Sequence, residues 1–338
     1  MIRVGVVGLG FMGNMHSKCY KAMKGVKLAA ICDTDKKKLA GGGKAVGNIA
    51  GADALDLTGI ELYSSFDKML KEAKLDAVSI TLPTYMHKTY TLKALKAGVN
   101  VLCEKPMAMN EAECKQMMDA AKKAKKILQI GHCIRFWPEY VKAKEIIDSG
   151  KYGKVKAATF QRLSLTPTWS WSNWLMDCKK SGGALLDLHI HDADYVQYVF
   201  GMPKAVYSKA STMVSKGPDH VVTNYVYKDD KVITAEGGWI MSPTFGFEMS
   251  FNIILEKAVI FYDCTRSPAF KICPTKGKVQ TPKVLAGDGY SRELEHFIKA
   301  VSGKKVPTIT TPKQSCDSVK LIVAENKSIK TGKKVEIK

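Results

Sequence analysis

The run Ile2-Arg3-Val4-Gly5-Val6-Val7, followed at once by Gly8-Leu9-Gly10-Phe11-Met12-Gly13, carries the fold of this chain. A short apolar stretch reads as a buried strand. The glycines that follow form G-x-G-x-x-G and open into a helix-like stretch, the context a phosphate-binding turn requires. Such glycines permit a tight turn and close backbone approach, and the helix N-terminus beyond them favours negative charge. A second apolar run, Lys27–Cys32, ends in Asp33, twenty residues after Gly13. A carboxylate there accepts hydrogen bonds from both ribose hydroxyls of a dinucleotide and repels a 2′-phosphate. The expected cofactor is NAD, held by Gly8, Gly10, Phe11, Met12, Gly13 and Asp33. Lys36–Lys38 nearby can offset the repulsion and leave NADP open.

Outward from this turn, the first 130 residues alternate between strand and helix signals. Apolar runs recur at Asp76–Thr81, Val99–Cys103 and Leu128–Gly131, with helix-like stretches at Lys88–Ala97 and Glu111–Lys125 between them. That alternation predicts a parallel sheet wrapped by helices. The run Gly41-Gly42-Gly43-Lys44 lacks Walker spacing and reads as a flexible stretch. After about residue 150 the pattern changes. Lys154–Leu165 and Lys204–Ser215 read as strands. Val221–Tyr227 and Lys231–Ile240 flank Asp229-Asp230, and Phe247–Leu255 and Ala258–Asp263 flank Glu256-Lys257, as in hairpins. This half predicts a mostly antiparallel sheet with one covered face. Helices are expected over Ala184–Phe200, Ser291–Val301 and Pro312–Thr331.

Composition narrows the function. Across 338 residues, 46% are hydrophobic and 25% charged, which excludes a disordered or low-complexity chain. No apolar run is long enough for a transmembrane helix, so no membrane partner is expected. The chain opens directly in a strand-like run without a basic-then-apolar leader, and a cytoplasmic location is expected. Nine cysteines, none in C-x-x-C spacing, argue against a disulfide framework or a zinc site. The net charge of +20 invites a nucleic-acid reading. Only five of the 52 basic residues are arginines, however, and the lysines are dispersed, so a solvated surface is expected instead.

Two further segments sit at predicted strand ends, where open α/β sheets bind ligands. They are Thr81-Leu82-Pro83-Thr84-Tyr85-Met86-His87 and Glu104-Lys105-Pro106. With Gly131-His132, Arg135-Phe136, Gly182-Gly183, Asp187-x-x-x-His191 and Tyr290-x-x-Glu293, the chain resembles the glucose–fructose oxidoreductase/inositol dehydrogenase (Gfo/Idh/MocA) family over essentially its whole length. The combination of E-K-P with the downstream D-x-x-x-H is specific.

The resemblance implies an α/β protein with two domains. The first is an N-terminal Rossmann dinucleotide-binding domain over 1–125. The second is a substrate and oligomerisation domain over 126–338, an α/β domain with a large, mostly antiparallel open sheet. The last helix has the option of packing back on the first domain. A homodimer or homotetramer through the open sheet is expected. The activity implied is hydride transfer between NAD(P) and a hydroxyl-bearing carbon of a sugar, polyol or sugar derivative. Two other readings stay open: a glycoside-transforming enzyme that oxidises transiently with resident NAD, and a non-catalytic NAD-binding sensor. Thr81, Pro83, His87, Glu104 and Arg162 are expected at the cofactor. Lys105 is expected to reach both the nicotinamide ribose and the substrate, which His132, Trp174, Asp187, His191 and Tyr290 would also line.

The residues themselves agree with that chemistry. Asp187 and His191 are four apart on an expected helix and share a face at 100° per residue, as does Asp194. A carboxylate beside an imidazole fixes its orientation, and histidine has the right ordinary pKa to take a hydroxyl proton. Lys105 would polarise the oxygen. His189 departs from the family's more common glycine. It invites a metal reading, but it points away from Asp187, and a structural hydrogen bond or a place at one edge of the pocket is expected of it. His16 and His132 match family positions equally well as structural or functional residues.

Overall fold

The computed structural model describes residues 1–41 and 55–337, so the 42–44 part of the stretch read as flexible lies outside them. The chain forms two compact units. One comprises 1–133 with 288–316, the other 134–287 with 317 onward.

The first unit is built on six parallel strands, β1 (Ile2–Val7), β2 (Val26–Cys32), β3 (Glu61–Tyr63), β4 (Ala77–Ile80), β5 (Asn100–Glu104) and β6 (Leu128–Gly131). Their order, β3-β2-β1-β4-β5-β6, is that of a doubly wound dinucleotide-binding sheet. Helices α1 (Phe11–Ala22), α2 (Lys36–Leu39), α3 (Phe66–Glu72), α4 (His87–Lys96) and α5 (Glu111–Ala124) lie between the strands. Five of the six strands are the apolar runs read from sequence. The sixth, β3, has three residues at a sheet edge and leaves Leu62 exposed, so it carries no apolar run to read. The core joins Val4, Val6, Tyr20, Ile31 and Leu102 to Leu294 and Phe297. Tyr20 closes it with its hydroxyl 2.8 Å from Ser79 Oγ.

The unit ends at Cys133 rather than at 125, because β6 is hydrogen-bonded to β5 in the same sheet. It also recovers 288–316. The element that returns to it is thus α9 (Gly289–Val301), which packs on α1. The last helix, α10 (Pro312–Thr331), belongs from Asp317 onward to the second unit.

The second unit carries α6 (Pro138–Asp148), β7 (Val155–Leu165), α7 (Cys178–Ser181) and α8 (Ile190–Phe200), then six strands before α9. These are β8 (Ala205–Ser211), β9 (His220–Val226), β10 (Val232–Met241), β11 (Phe247–Leu255), β12 (Ala258–Asp263) and β13 (Phe270–Pro274). The short β14 (Val335–Glu336) completes a sheet of order β13-β12-β11-β7-β10-β9-β8-β14. Both expected hairpins form, β9 with β10 and β11 with β12. The pairing is antiparallel throughout except for β7 with β10. Strict alternation along β9 buries Val221, Thr223 and Tyr225 and exposes Val222, Asn224 and Val226. The covered face packs Phe160 and Phe251 against Tyr140 of α6 and Tyr195 of α8.

The helix expected over Ala184–Phe200 is not regular. Leu185–His189 form a π-helical turn, and α8 follows it. A π turn closes i→i+5 and changes the angular phase of the residues it carries. The same-face relation of Asp187 and His191 therefore passes through a widened turn rather than a uniform helix.

Candidate active site

Three glycines of the first turn have three different jobs. Gly8 has φ +96°, and a Cβ on it would lie 2.7 Å from the Thr81 carbonyl oxygen. A Cβ on Gly13 would overlap the Gly8 carbonyl oxygen, so α1 can start this close to β1 only with glycine there. A Cβ on Gly10 would meet no heavy atom within 4 Å. Packing does not require glycine at position 10, but the close approach of a ligand would. Gly10 caps α1 without a side-chain bond, and the first turn carries no acidic residue. Phe11 and Met12, half-buried, form that turn. The result is an uncapped helix N-terminus facing open space, which fits a pyrophosphate.

Asp33 is braced at the end of β2. Its carboxylate accepts the Leu9 N–H at 2.7 Å and the Asp35 N–H at 2.8 Å, and Lys38 Nζ lies 3.7 Å from it. These residues fit NAD, and Lys38 keeps a positive charge beside the Asp33 carboxylate.

Other residues expected at the cofactor make contacts within the protein. The Thr81 hydroxyl donates to the carbonyls of Val7 and Gly8 at 2.9 and 2.8 Å, holding the turn from β4. His87 is buried with both ring nitrogens 2.8 Å from backbone carbonyls, those of Pro106 and Leu82. No ring nitrogen is left for a cofactor. Burial lowers its pKa, against the pull of the two carbonyls. Pro83 precedes the short 3₁₀ turn Thr84–Met86. Glu104 points into the unit, with one oxygen 2.9 Å from His16 Nε2 and the other accepting the Lys105 N–H at 3.1 Å. Gly131 of β6 lies against it. Burial pushes the Glu104 carboxyl up, but His16 and Lys105 together hold it below its ordinary value. Lys105 follows, half-buried, joined to Pro106 by a cis peptide bond. His132 is buried directly after β6, and Tyr290 is half-buried in the first turn of α9.

In the second unit, Asp187 and His191 are half-buried while Leu188, His189 and Ile190 between them are buried. The two expected catalytic side chains thus occupy the accessible positions of this segment. Asp194 does not join them. It is wholly buried, bound bidentately by Arg135 at 2.8 Å on each oxygen, and it accepts Ser318 Oγ at 2.6 Å. Arg162, expected at the cofactor, is 3% exposed, and its fork grips Asp192 at 2.8 and 3.1 Å. Trp174 is half-buried in the 3₁₀ segment Trp171–Met176. His189 makes the expected structural contact, a buried pair with Glu325. Sequence reasoning gave no role to Asp192, Arg135 or Glu325. The signal for Asp192 was present in D-x-x-x-H-D, but its partner lies thirty positions upstream on β7. Among the described residues no cluster of three His, Cys, Asp or Glu could hold a metal ion. No helix there is long and apolar enough to cross a membrane.

The profile described as "Oxidoreductase family, NAD-binding Rossmann fold" matches residues 2–132, and that of the GFO/IDH/MocA C-terminal domain matches 140–261. The chain belongs to the GFO/IDH/MocA oxidoreductase family. It is 28% identical to the D-glucoside 3-dehydrogenase of Escherichia coli K12, over 99% of this chain and 97% of that protein. It is 27% identical to the scyllo-inositol 2-dehydrogenase (NAD(+)) of Bacillus subtilis 168, over 99% and 96%. Among solved structures, the WlbA dehydrogenase of Bordetella pertussis in complex with NADH and UDP-GlcNAcA shares the fold, with a TM-score of 0.82 at 21% identity over 100% and 99% of the two chains. This GFO/IDH/MocA member is an NAD-binding oxidoreductase.

Proposed function

We propose that this oxidoreductase is a dehydrogenase of ring sugars or polyols, oxidising a secondary hydroxyl of a glucoside- or inositol-like substrate. The observation that carries it is the Gly10 position, open in front of an uncapped helix N-terminus, with the Asp33 carboxylate braced beside it. The relatives named for glucoside and inositol oxidation supply the substrate class. NAD, when bound, supplies the hydride acceptor.

The chain's own residues do the rest. The α1 N-terminus neutralises the pyrophosphate, and Asp33 accepts the ribose hydroxyls, favouring NAD over NADP. Lys105 donates to the substrate hydroxyl oxygen and stabilises negative charge as the C–H bond breaks. His191 takes the hydroxyl proton on an imidazole nitrogen, and Asp187 orients that ring. Tyr290, His132 and Trp174 complete the substrate contacts. The open face of the eight-stranded sheet exposes Val222, Val226, Val232 and Ile254, and this is where copies of the chain associate as a dimer or tetramer. Nine free thiols accord with a reducing, cytoplasmic setting.

The test is NADH formation by absorbance with NAD or NADP over a panel of glycosides, sugars and inositols, with product analysis. NADH growth with one hydroxyl converted to a ketone supports the reading. Glycoside conversion without NADH growth replaces it with resident-NAD chemistry. NAD binding without any turnover across the panel would favour a sensor. Light scattering reads the oligomer, and a monomer at all concentrations would discard the sheet interface.

A further inference from the structure

His189 stands midway between Asp187 and His191, and its surroundings are unlike theirs. Its ring is wholly buried, with Nε2 3.0 Å from Glu325 Oε2 of α10, itself wholly buried. Thr223 Oγ1 of β9 donates to the same carboxylate oxygen at 3.1 Å, and Ser208 Oγ of β8 lies 2.8 Å from Thr223 Oγ1. Tyr225 Oη lies 3.4 Å from His189 Nε2. Gly237 of β10 makes the room: a Cβ there would fall 2.9 Å from His189 Nδ1 and 3.1 Å from its Cβ. One imidazole thus ties the π turn to β9, β10 and α10.

A stability role does not account for this arrangement. His189 Nδ1 and Glu325 Oε1 have no hydrogen-bond partner among the described residues. A buried ion pair with unsatisfied atoms is commonly matched or bettered by apolar side chains of similar volume. His189 also lies on a π turn, a rare geometry found frequently at functional sites.

We propose that the His189–Glu325 pair is a positioning device that pins the π turn and so fixes the angular relation of Asp187 and His191. This rests on the reading of those two residues as catalytic. If the turn relaxed to regular α geometry, Asp187 would rotate relative to His191 and the imidazole would lose its orienter. The charged groups facing His189 are Glu325 from α10, Asp192 from α8 and Arg162 from β7, with the Tyr225 phenol from β9. Burial opposes the protonated ring most strongly, yet Glu325 and Asp192 outweigh burial and Arg162, and the ring's pKa is raised.

The experiment compares the full chain with the double variant His189→Leu/Glu325→Leu and with Gly237→Ala. The double variant removes the pair but keeps an apolar filling, and Gly237→Ala displaces the ring with the pair intact. Melting temperature, NAD affinity by calorimetry, kcat and KM, and the NMR titration of the His191 ring are read on each. The double variant is expected to melt at or above the parent temperature and to bind NAD within about twofold. Its kcat is expected to fall about 100-fold, the loss a misplaced catalytic group produces. The His191 titration is expected to move in both variants. Folded variants with parent kcat and an unmoved His191 titration would overturn the proposal. Should no panel compound be turned over by the parent, the dehydrogenase reading fails, but the His191 titration in NAD-bound protein still decides whether the pair sets that ring. Where the double variant does not fold, Gly237→Ala carries the same decision.

Discussion

His16 Nε2 lies 2.9 Å from Glu104 Oε1, and both side chains are buried. This pair joins α1, whose N-terminus closes the glycine-rich turn, to the end of β5, where Lys105 begins. The glycine-rich turn and the strand end bearing the proposed catalytic lysine are thereby tied together. Breaking a buried pair by removing one partner leaves an uncompensated charge and costs about 3–5 kcal/mol. His16→Ala should lower stability by that order in urea titration and weaken NAD binding; unchanged values for both would show that the pair holds nothing together.

The same pair predicts an acid limit. The folded-state pKa of Glu104 is lowered, so its contribution is complete above the unfolded carboxyl value of about 4.3 and disappears as pH falls through the folded value. The stability gap between the protein and Glu104→Gln should be flat at neutral pH and narrow only below about 4.3. A gap that instead narrows as pH rises above neutrality would assign the linkage to another group.

Gly10 and Gly13 should respond oppositely to alanine. A Cβ at Gly13 collides with the Gly8 backbone, whereas at Gly10 it meets nothing in the protein. Gly13→Ala is expected to lower the melting temperature. Gly10→Ala should leave stability within about 0.5 kcal/mol, as for an unstrained surface change. It should weaken NAD binding by about tenfold or more, equivalent to ~1.4 kcal/mol of lost approach. Calorimetric titration with NAD separates the two. Tight NAD binding by folded Gly10→Ala would move the pyrophosphate away from this turn.

Asp33 has a structural duty and, in the proposed reading, a selective one. Asp33→Asn keeps an acceptor for one of the Leu9 and Asp35 N–H groups, which bond different carboxylate oxygens, and removes the negative charge that would repel a 2′-phosphate. With Lys38 at 3.7 Å no longer countered, the ratio of NADP to NAD affinity should rise by about tenfold or more, which is ~1.4 kcal/mol. A ratio that does not move would show that position 33 does not select the cofactor.

Lys105→Ala should bind NAD nearly as the parent does and transfer no measurable hydride. His191→Ala should lose roughly two to four orders of magnitude in turnover, the usual contribution of a general base. Single-turnover kinetics with the best panel substrate distinguish chemistry from binding, and full activity in either variant would remove that residue from the reaction.

What local sequence could determine was the chain's architecture and the glycine-rich turn proposed to meet the cofactor. Short apolar runs, the spacing of Gly8, Gly10 and Gly13, and Asp33 twenty residues on are properties of contiguous stretches, and a strand or a tight turn forms from contiguous stretches. The same locality explains the failure at β3, whose three edge residues depend on β2 for their hydrogen bonds and carry no pattern of their own. Only the tertiary structure decided which polar residues turn inward. Thr81, His87, Glu104 and Arg162 stand in segments that mark a ligand site, yet their partners are Val7 and Gly8, Leu82 and Pro106, His16, and Asp192. Asp194 likewise shares the expected helical face with His191 but is held by Arg135, fifty-nine positions away. A buried polar group must find a partner wherever the fold brings one, and at separations of tens of residues no local spacing encodes that meeting. The π turn beneath His189 belongs to the same class, since a ring held between Gly237 and Glu325 accompanies a helical phase that sequence periodicity assigns to a regular helix.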